Sequence, residues 1–266
     1  MELLQSFLYF VICFGASIAG AICGIGGGVI VKPTLDLFGW DSVTTISFLS
    51  GCMVLAMSCY SVGRSMIAGE KTVKAKTITP LAIGAAIGGI AGKQLFGYVK
   101  ALFENPERVG GVQAVCLALI TVGTLLYTIF KRRIKPHEVT NVVAYVVIGL
   151  LLGIMSSFLG IGGGPINIVV LHFFFAMDSK TAAANSLYVI AISQLTALLS
   201  TFVTNTVPDF GFLALVFMVG GGLLGSMSGR AINKKMDNAA VDKLFIGMMS
   251  VIILISVYNS VKYLIL

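Results

Sequence analysis

Gly24-Ile25-Gly26-Gly27-Gly28 interrupts the uncharged run from residue 3 to residue 31, and the same five residues recur as Gly160-Ile161-Gly162-Gly163-Gly164. Four glycines in five positions do not sustain a helix, because each costs about 1 kcal/mol relative to alanine in a helix interior. The backbone is therefore predicted to unwind twice, at sites 136 positions apart. The repeat continues outward from this pair. With one inserted residue, Asp41-Ser42-x-Thr44 matches Asp178-Ser179-x-Thr181, and Gly84, Gly88, Gly92 and Lys93 match Gly221, Gly225, Gly229 and Arg230. The chain reads as a duplicated half of about 135 residues.

Composition sets the solvent in which this duplication folds. Of 266 residues, 57% are apolar and 11% are charged, and the mean hydropathy is +0.98. An ordinary soluble domain carries roughly a quarter charged residues, so a soluble globular protein is excluded. Uncharged runs at 42–63, 109–130, 181–208 and 210–229 join the first at about the 20 residues a spanning helix needs. Shorter runs at 77–92 and 244–261, and the stretch 139–177 with His172 as its one ionisable group, bring the hydrophobic blocks to eight, four per half. The polar stretches between them are too short for a second domain. The first block begins with Glu2 instead of a basic segment and has no small-residue cleavage site, so it reads as retained structure. Cys13, Cys23, Cys52, Cys59 and Cys116 lie inside blocks without CxxC spacing, which points to apolar filler and not to a metal or redox site. The net charge of +7 comes from short basic clusters between blocks, the pattern of cytoplasmic loops and not of a nucleic-acid surface.

Those clusters also predict topology. If all eight blocks cross the bilayer, the 18 Lys and Arg residues divide 9 to 9 between its sides. If the first and fifth blocks break at their glycines and return to the side they came from, the division becomes 13 to 5, with Lys32, Lys93, Lys100, Arg108 and Lys262 opposite the rest. The expected fold is an all-α polytopic membrane protein: a single transmembrane domain of two pseudo-symmetric, inverted repeats, about 1–130 and 141–266, joined by a linker at 131–140. The first and fifth segments are broken or re-entrant, although residues 3–23 are also long enough to span. Both termini fall outside the cytoplasm.

Unwound backbone at membrane depth is tolerated where it is buried in protein or lines a wet cavity. Successive N–H groups without side chains form a concave nest for an anion, and a helix starting just after the break adds its partial positive charge. Gly24, Gly26, Gly27, Gly28 and Gly160, Gly162, Gly163, Gly164 are thus candidate substrate-binding residues, and Val29 and Pro165 begin the following arms. The spacing of Gly84, Gly88, Gly92 and of Gly221, Gly225, Gly229 leaves a helix intact and predicts close helix packing instead. Neither cluster is a nucleotide motif, since GxGxxG fails at Val29 and at Pro165, so no cofactor is expected.

This duplicated G-x-G-G-G break, with a following arm, an Asp/Ser/Thr turn and a helix opening on small polar residues, resembles the sulfite exporter TauE/SafE family over essentially the whole chain. The resemblance implies a multi-pass carrier of sulfur-containing oxyanions such as sulfite or organosulfonates, usually exporting, in a bacterial inner or plasma membrane. The proline that commonly follows the glycines is present as Pro33 but is Val169 in the second half, and the small polar pair is Asn185-Ser186 in the second half but only loosely matched by Thr44, Thr45 and Ser47 in the first.

Other polar groups carry two readings each. Lys32 reaches back to an anion or snorkels to the interface; Asn167 donates to a bound oxygen or ties down loose backbone. Asn185 and Ser186 face a cavity or act as interhelical glue, and His172 reads as a hydrogen-bonded structural imidazole more than as a proton relay. Lys93 and Arg230 close their helices as interface anchors. Asp36, Asp41, Asp178 and Asp209 sit near block ends, which leaves few candidates for ion coupling. None is required for export, because a monoanion leaving a cell at about −100 mV gains roughly 2.3 kcal/mol. The absence of HExxH, GxSxG and Ser/Lys constellations argues against an enzyme. The expected partners are a small sulfur-containing anion and the lipid bilayer; an anion channel, or a carrier of another small organic anion, is the alternative.

Overall fold

The computed structural model describes residues 2–70, 73, 75–102, 108–161 and 163–264. Each glycine cluster ends one helix and starts another, so the eight blocks become ten α-helices. They are α1 (Glu2–Cys23), α2 (Gly28–Phe38), α3 (Val43–Ile67), α4 (Ala75–Leu102), α5 (Arg108–Phe130), α6 (Val142–Leu159), α7 (Pro165–Phe175), α8 (Ser179–Val203), α9 (Phe212–Lys235) and α10 (Asn238–Leu264). A 3-10 turn at Lys131–Arg133 opens the linker. Seven helices, α1, α3, α5, α6, α8, α9 and α10, are long and apolar enough to cross a membrane. Their outer faces expose large apolar side chains, among them Leu119, Val143 and Leu254, each more than two-thirds exposed at 69%, 68% and 72%. The molecule is a polytopic all-α membrane protein.

The turn motif caps the third helix of each half by different residues. Asp178 accepts from the amides of Lys180 and Thr181 at the start of α8, whereas at the start of α3 the cap is Ser42, which accepts from Thr45. Asp41 is thereby free to accept from Tyr9 and Gln5, and Ser179 to donate to Asp242. Further contacts return each broken block toward its own beginning. Trp40 packs on Tyr9 near the start of α1, and in the second half the amides of His137 and Val139 donate to the carbonyls of Phe173 and Phe174 at the end of α7. Both blocks are helical hairpins.

The hairpin bases lie at opposite ends of the antiparallel α5/α10 pair. Lys262 and Tyr263 of α10 donate to the carbonyls of Asp36 and Leu37 at the C-terminus of α2, where cations complement the helix dipole. His172 near the end of α7 instead meets Tyr127 of α5, one turn from Lys131, which pairs with Asp242 at the start of α10 at 2.6 Å. We call the first the termini end and the second the linker end.

The helices pair by exchange between halves, and the small-residue faces make this possible. A Cβ at Gly84, Gly88 or Gly92 of α4 would lie 2.1, 2.1 and 2.3 Å from the carbonyl oxygens of Val146, Leu150 and Ile154 on α6. Gly221, Gly225 and Gly229 of α9 approach Phe10, Phe14 and Ile18 of α1 in the same way. The packing role expected for both stripes is what the contacts show.

Candidate functional site

The two breaks meet. A Cβ at Gly28, the first residue of α2, would lie 2.4 Å from the Ile161 carbonyl oxygen of the second cluster. Gly24, Gly26, Gly160 and Gly163 hold positive φ of 73°, 66°, 64° and 128°, a region that side-chain-bearing residues rarely adopt. Gly24 also lies against the α8 backbone at Ala183, and Ile190 of α8 packs against both Gly26 and Gly163. Gly27 caps α2 without a side chain and its N–H points to the Met57 sulfur, while Gly164 caps α7 ahead of Pro165, a residue suited to the first helical position. Gly162 lies outside the described residues. The N-termini of α2 and α7 thus converge on one buried region.

Two cavities with charged and polar side chains set in largely apolar walls flank it, one toward each end. At the termini end a cavity of about 90 Å³, room for several waters, is lined by Thr44, Ser47, Lys93, Gln113, Ser157 and Gln194 and reaches Gly160 of the second break. The Ser157 hydroxyl and the Gln113 Oε1 have no partner. Lys100, two turns along α4 from Lys93, donates to Thr44 at 3.1 Å, so two cations lead inward along one face. At the linker end a cavity of about 230 Å³ is lined by Ser61, Ser65, Glu70, Lys180, Arg230 and Lys234. Lys93 donates to the α8 carbonyl of Ala197 at 3.4 Å and Arg230 to the α3 carbonyl of Ser61 at 3.0 Å, so the repeat-matched cations hold matched places. Both line cavities, because α4 and α9 pack against the partner half and turn this face inward.

The two cavities differ in charge. Glu70 accepts from Arg230 at 2.6 Å, from Lys234 at 3.1 Å and from Ser65 at 2.8 Å, whereas Lys93 has no acidic partner among the described residues. Burial pushes the Glu70 carboxyl up, but bonds from Ser65, Lys234 and Arg230 outweigh it and hold the group below its ordinary 4.5. The pairing therefore contributes across the neutral range and is lost only as pH falls through that depressed value. Glu70→Gln is expected to lower stability by about 1 kcal/mol, the scale of a partly exposed pair, in thermal unfolding at pH 7.

The other predicted site residues are distributed around this frame. Lys32 is 3% exposed and bonded to Asp36 at 2.9 Å, so it neither snorkels nor stands free; its Cε runs beside Gly160. Asp36 lies near a block end as the sequence indicates, yet it is 4% exposed, because α10 and α5 cover it. Asn167 is buried with Oδ1 unpartnered. Asn185 is fully buried and donates to Thr181 in its own helix, and the Ser186 hydroxyl is buried without a partner; both line neither of the two cavities. The His172 imidazole is hydrogen bonded to Tyr127 at 2.9 Å.

Paired helix breaks flanked by cation-bearing cavities within a multi-pass helical bundle define the class: a membrane transporter. The family model for the sulfite exporter TauE/SafE matches residues 9–256, and the chain belongs to that family. It is 25% identical over 249 residues, 85% of this chain and 88% of the relative, to the probable membrane transporter protein YunE of Bacillus subtilis (strain 168). No solved structure matches. The family is one of membrane transporters and not an enzyme class.

Proposed function

We propose that the protein is a secondary carrier that exports a small sulfur-containing oxyanion, sulfite or an organosulfonate, by exposing one central site alternately to the two cavities. The observation that carries this reading is the matched pair of cations, Lys93 and Arg230, in cavities on either side of the joined glycine breaks. Such an arrangement suits a single anion passed between equivalent positions. The domain is read as two inverted repeats, 1–130 and 141–266, around the linker 131–140. The opposite placement of the hairpin bases supports the inversion. The linker end is assigned to the cytoplasm, since Arg64, Lys131, Lys180, Arg230 and Lys234 gather there.

The test is thermal stabilisation of the purified protein by sulfite, sulfate, thiosulfate, sulfoacetate, taurine and acetate, followed by counterflow in proteoliposomes with the best ligand. A sulfur oxyanion is expected to raise the unfolding temperature and to accumulate transiently against unlabelled anion inside. Stabilisation by acetate alone would sink the substrate class. Flux without counterflow would make the protein a channel.

A further inference from the structure

We propose that Asp36 is a proton-binding site that loads together with the anion, so that the two move as one electroneutral pair. The proposal rests on the carrier reading above and concerns a second, smaller cavity beside the anion cavity. Its volume is about 10 Å³, the space of a single water, and its lining includes Lys32, Asp36, Gln113, Ser256 and Asn259. These five side chains are each at least nine-tenths buried, at 3%, 4%, 3%, 0% and 2% exposure. Asp36 Oδ1, Gln113 Oε1, Asn259 Oδ1 and Ser256 Oγ all lack a partner.

The amide orientations are set by their own donors, Gln113 Nε2 to the Phe158 carbonyl and Asn259 Nδ2 to the Pro33 carbonyl. Both amides are therefore left with an unpartnered oxygen. With Asp36 ionised, three acceptor-only oxygens and one hydroxyl stand unpartnered, the Lys32 ammonium being turned to Asp36 Oδ2 and reaching none of them, so the cluster is short of donors where it needs them. A proton on Asp36 Oδ1 supplies the missing donor, which a neighbouring amide oxygen accepts directly or through one water.

A metal cation is the poorer occupant. The charged groups facing Asp36 are Lys32 on its own helix and Lys262 on α10, whose ammonium sits on the Asp36 carbonyl beside the Tyr263 hydroxyl. From α5 the lining presents Gln113 with Gly110, Ala114 and Leu117, and from α6 Leu159. A metal would thus be a third positive group around one carboxylate. A proton instead forms a covalent O–H bond and releases Lys32 from its ion pair at Oδ2.

That release links the two cavities. The Lys32 stem runs beside Gly160, which lines the anion cavity, and Gln113 lines both cavities. Before loading, Lys32 and Asp36 sum to zero charge. After it, the Lys32 ammonium faces the anion, Asp36 is a neutral acid, and the sum is again zero. An anion taken alone by Lys32 would strand an unpaired carboxylate in the interior, which is why the two loads go together. A monoanion leaving with a proton carries no net charge, so concentration gradients and not the membrane potential drive it.

The test is titration of the purified, detergent-solubilised protein with methanesulfonate or isethionate, sulfonates that stay monoanionic and take up no proton of their own, in two buffers of different ionisation enthalpy at pH 7.5. About one proton is expected to be taken up per anion bound, with an infrared carboxylic-acid band appearing on binding. In Asp36→Asn both signals are expected to vanish. Binding without proton uptake or a new band in the wild-type protein overturns the proton site and leaves the carrier reading standing. No binding by the wild-type protein overturns both. The wild-type band and proton count decide the matter even if Asp36→Asn does not fold.

Discussion

Gly88→Val is expected to abolish the folded, monodisperse protein. The Gly88 Cα faces the Leu150 carbonyl of α6 so closely that a Cβ would stand 2.1 Å from that oxygen, and the obstacle is backbone, which has no rotamer by which to yield. Methylenes forced into a well-packed core commonly cost about 1–3 kcal/mol through shifts of side chains. Here α4 and α6 must separate, and with them Gly84, Gly92 and the reciprocal contacts of Gly149 on Leu81 and Gly153 on Ala85. A loss above about 3 kcal/mol is therefore expected, enough to remove most of a marginal stability. Gly225→Val on α9 is expected to behave alike, since its Cβ would stand 2.3 Å from the Phe14 carbonyl. Gly220, next to Gly221 in sequence but about 100° round the helix from that stripe, has nothing within 4 Å, so Gly220→Ala is expected to be neutral or slightly stabilising through helix propensity. Fluorescence-detected size exclusion after a heating series separates these cases. If Gly88→Val elutes and melts like Gly220→Ala, the exchanged pairing of α4 with α6 is wrong.

That pairing marks where the sequence stops being legible. The breaks, the small-residue stripes and the capping turns are written in local chemistry: consecutive glycines end a helix wherever they fall, glycines four apart stay on one face, and Asp or Ser ahead of a helix accepts its free amides. What those faces touch is a long-range matter. The stripes on α4 and α9 specify close partners without saying that these are α6 and α1 of the other half, and only those choices turn Lys93 and Arg230 inward. The duplication had already aligned these two residues, a signal that a cation at the same depth in both halves has a shared task, but helical spacing alone does not separate a cavity from an interface. Lys32 and Asp36, one turn apart, are equally visible as an i,i+4 pair. Their burial is not, because it depends on α10 and α5 arriving over α2 from more than 70 residues away. The capping turn shows the same limit on a smaller scale: the motif is repeated, yet the cap moves from Asp178 to Ser42 because Tyr9 and Gln5 claim Asp41 in the first half.

Lys93→Met is expected to weaken anion binding by roughly 10- to 100-fold, the effect of losing a charge-assisted hydrogen bond of about 1.5–3 kcal/mol, while leaving the fold at least as stable. The stability half follows from the bonding of the ammonium. Lys93 makes one long contact, 3.4 Å to the Ala197 carbonyl, and among the described residues no carboxylate balances it, so its removal relieves an incompletely satisfied charge. The binding half follows from position, since Lys93 lines the cavity that reaches Gly160, with Ser47, Ser157 and Gln194 around it. Arg230→Met offers the contrast, because it strips Glu70 of its strongest partner and its Ser61 carbonyl contact together, and it is expected to lower stability by about 1–3 kcal/mol. Lys93→Arg should recover part of the affinity, since the repeat itself places an arginine at the equivalent position. Equilibrium titration and thermal unfolding of the same preparations read both halves at once. An unchanged affinity in Lys93→Met would remove the termini-end cavity from the transport path and leave the anion to the buried junction of the two breaks, where among the described residues no side-chain cation stands free of an acidic partner and the helix N-termini alone would have to hold it.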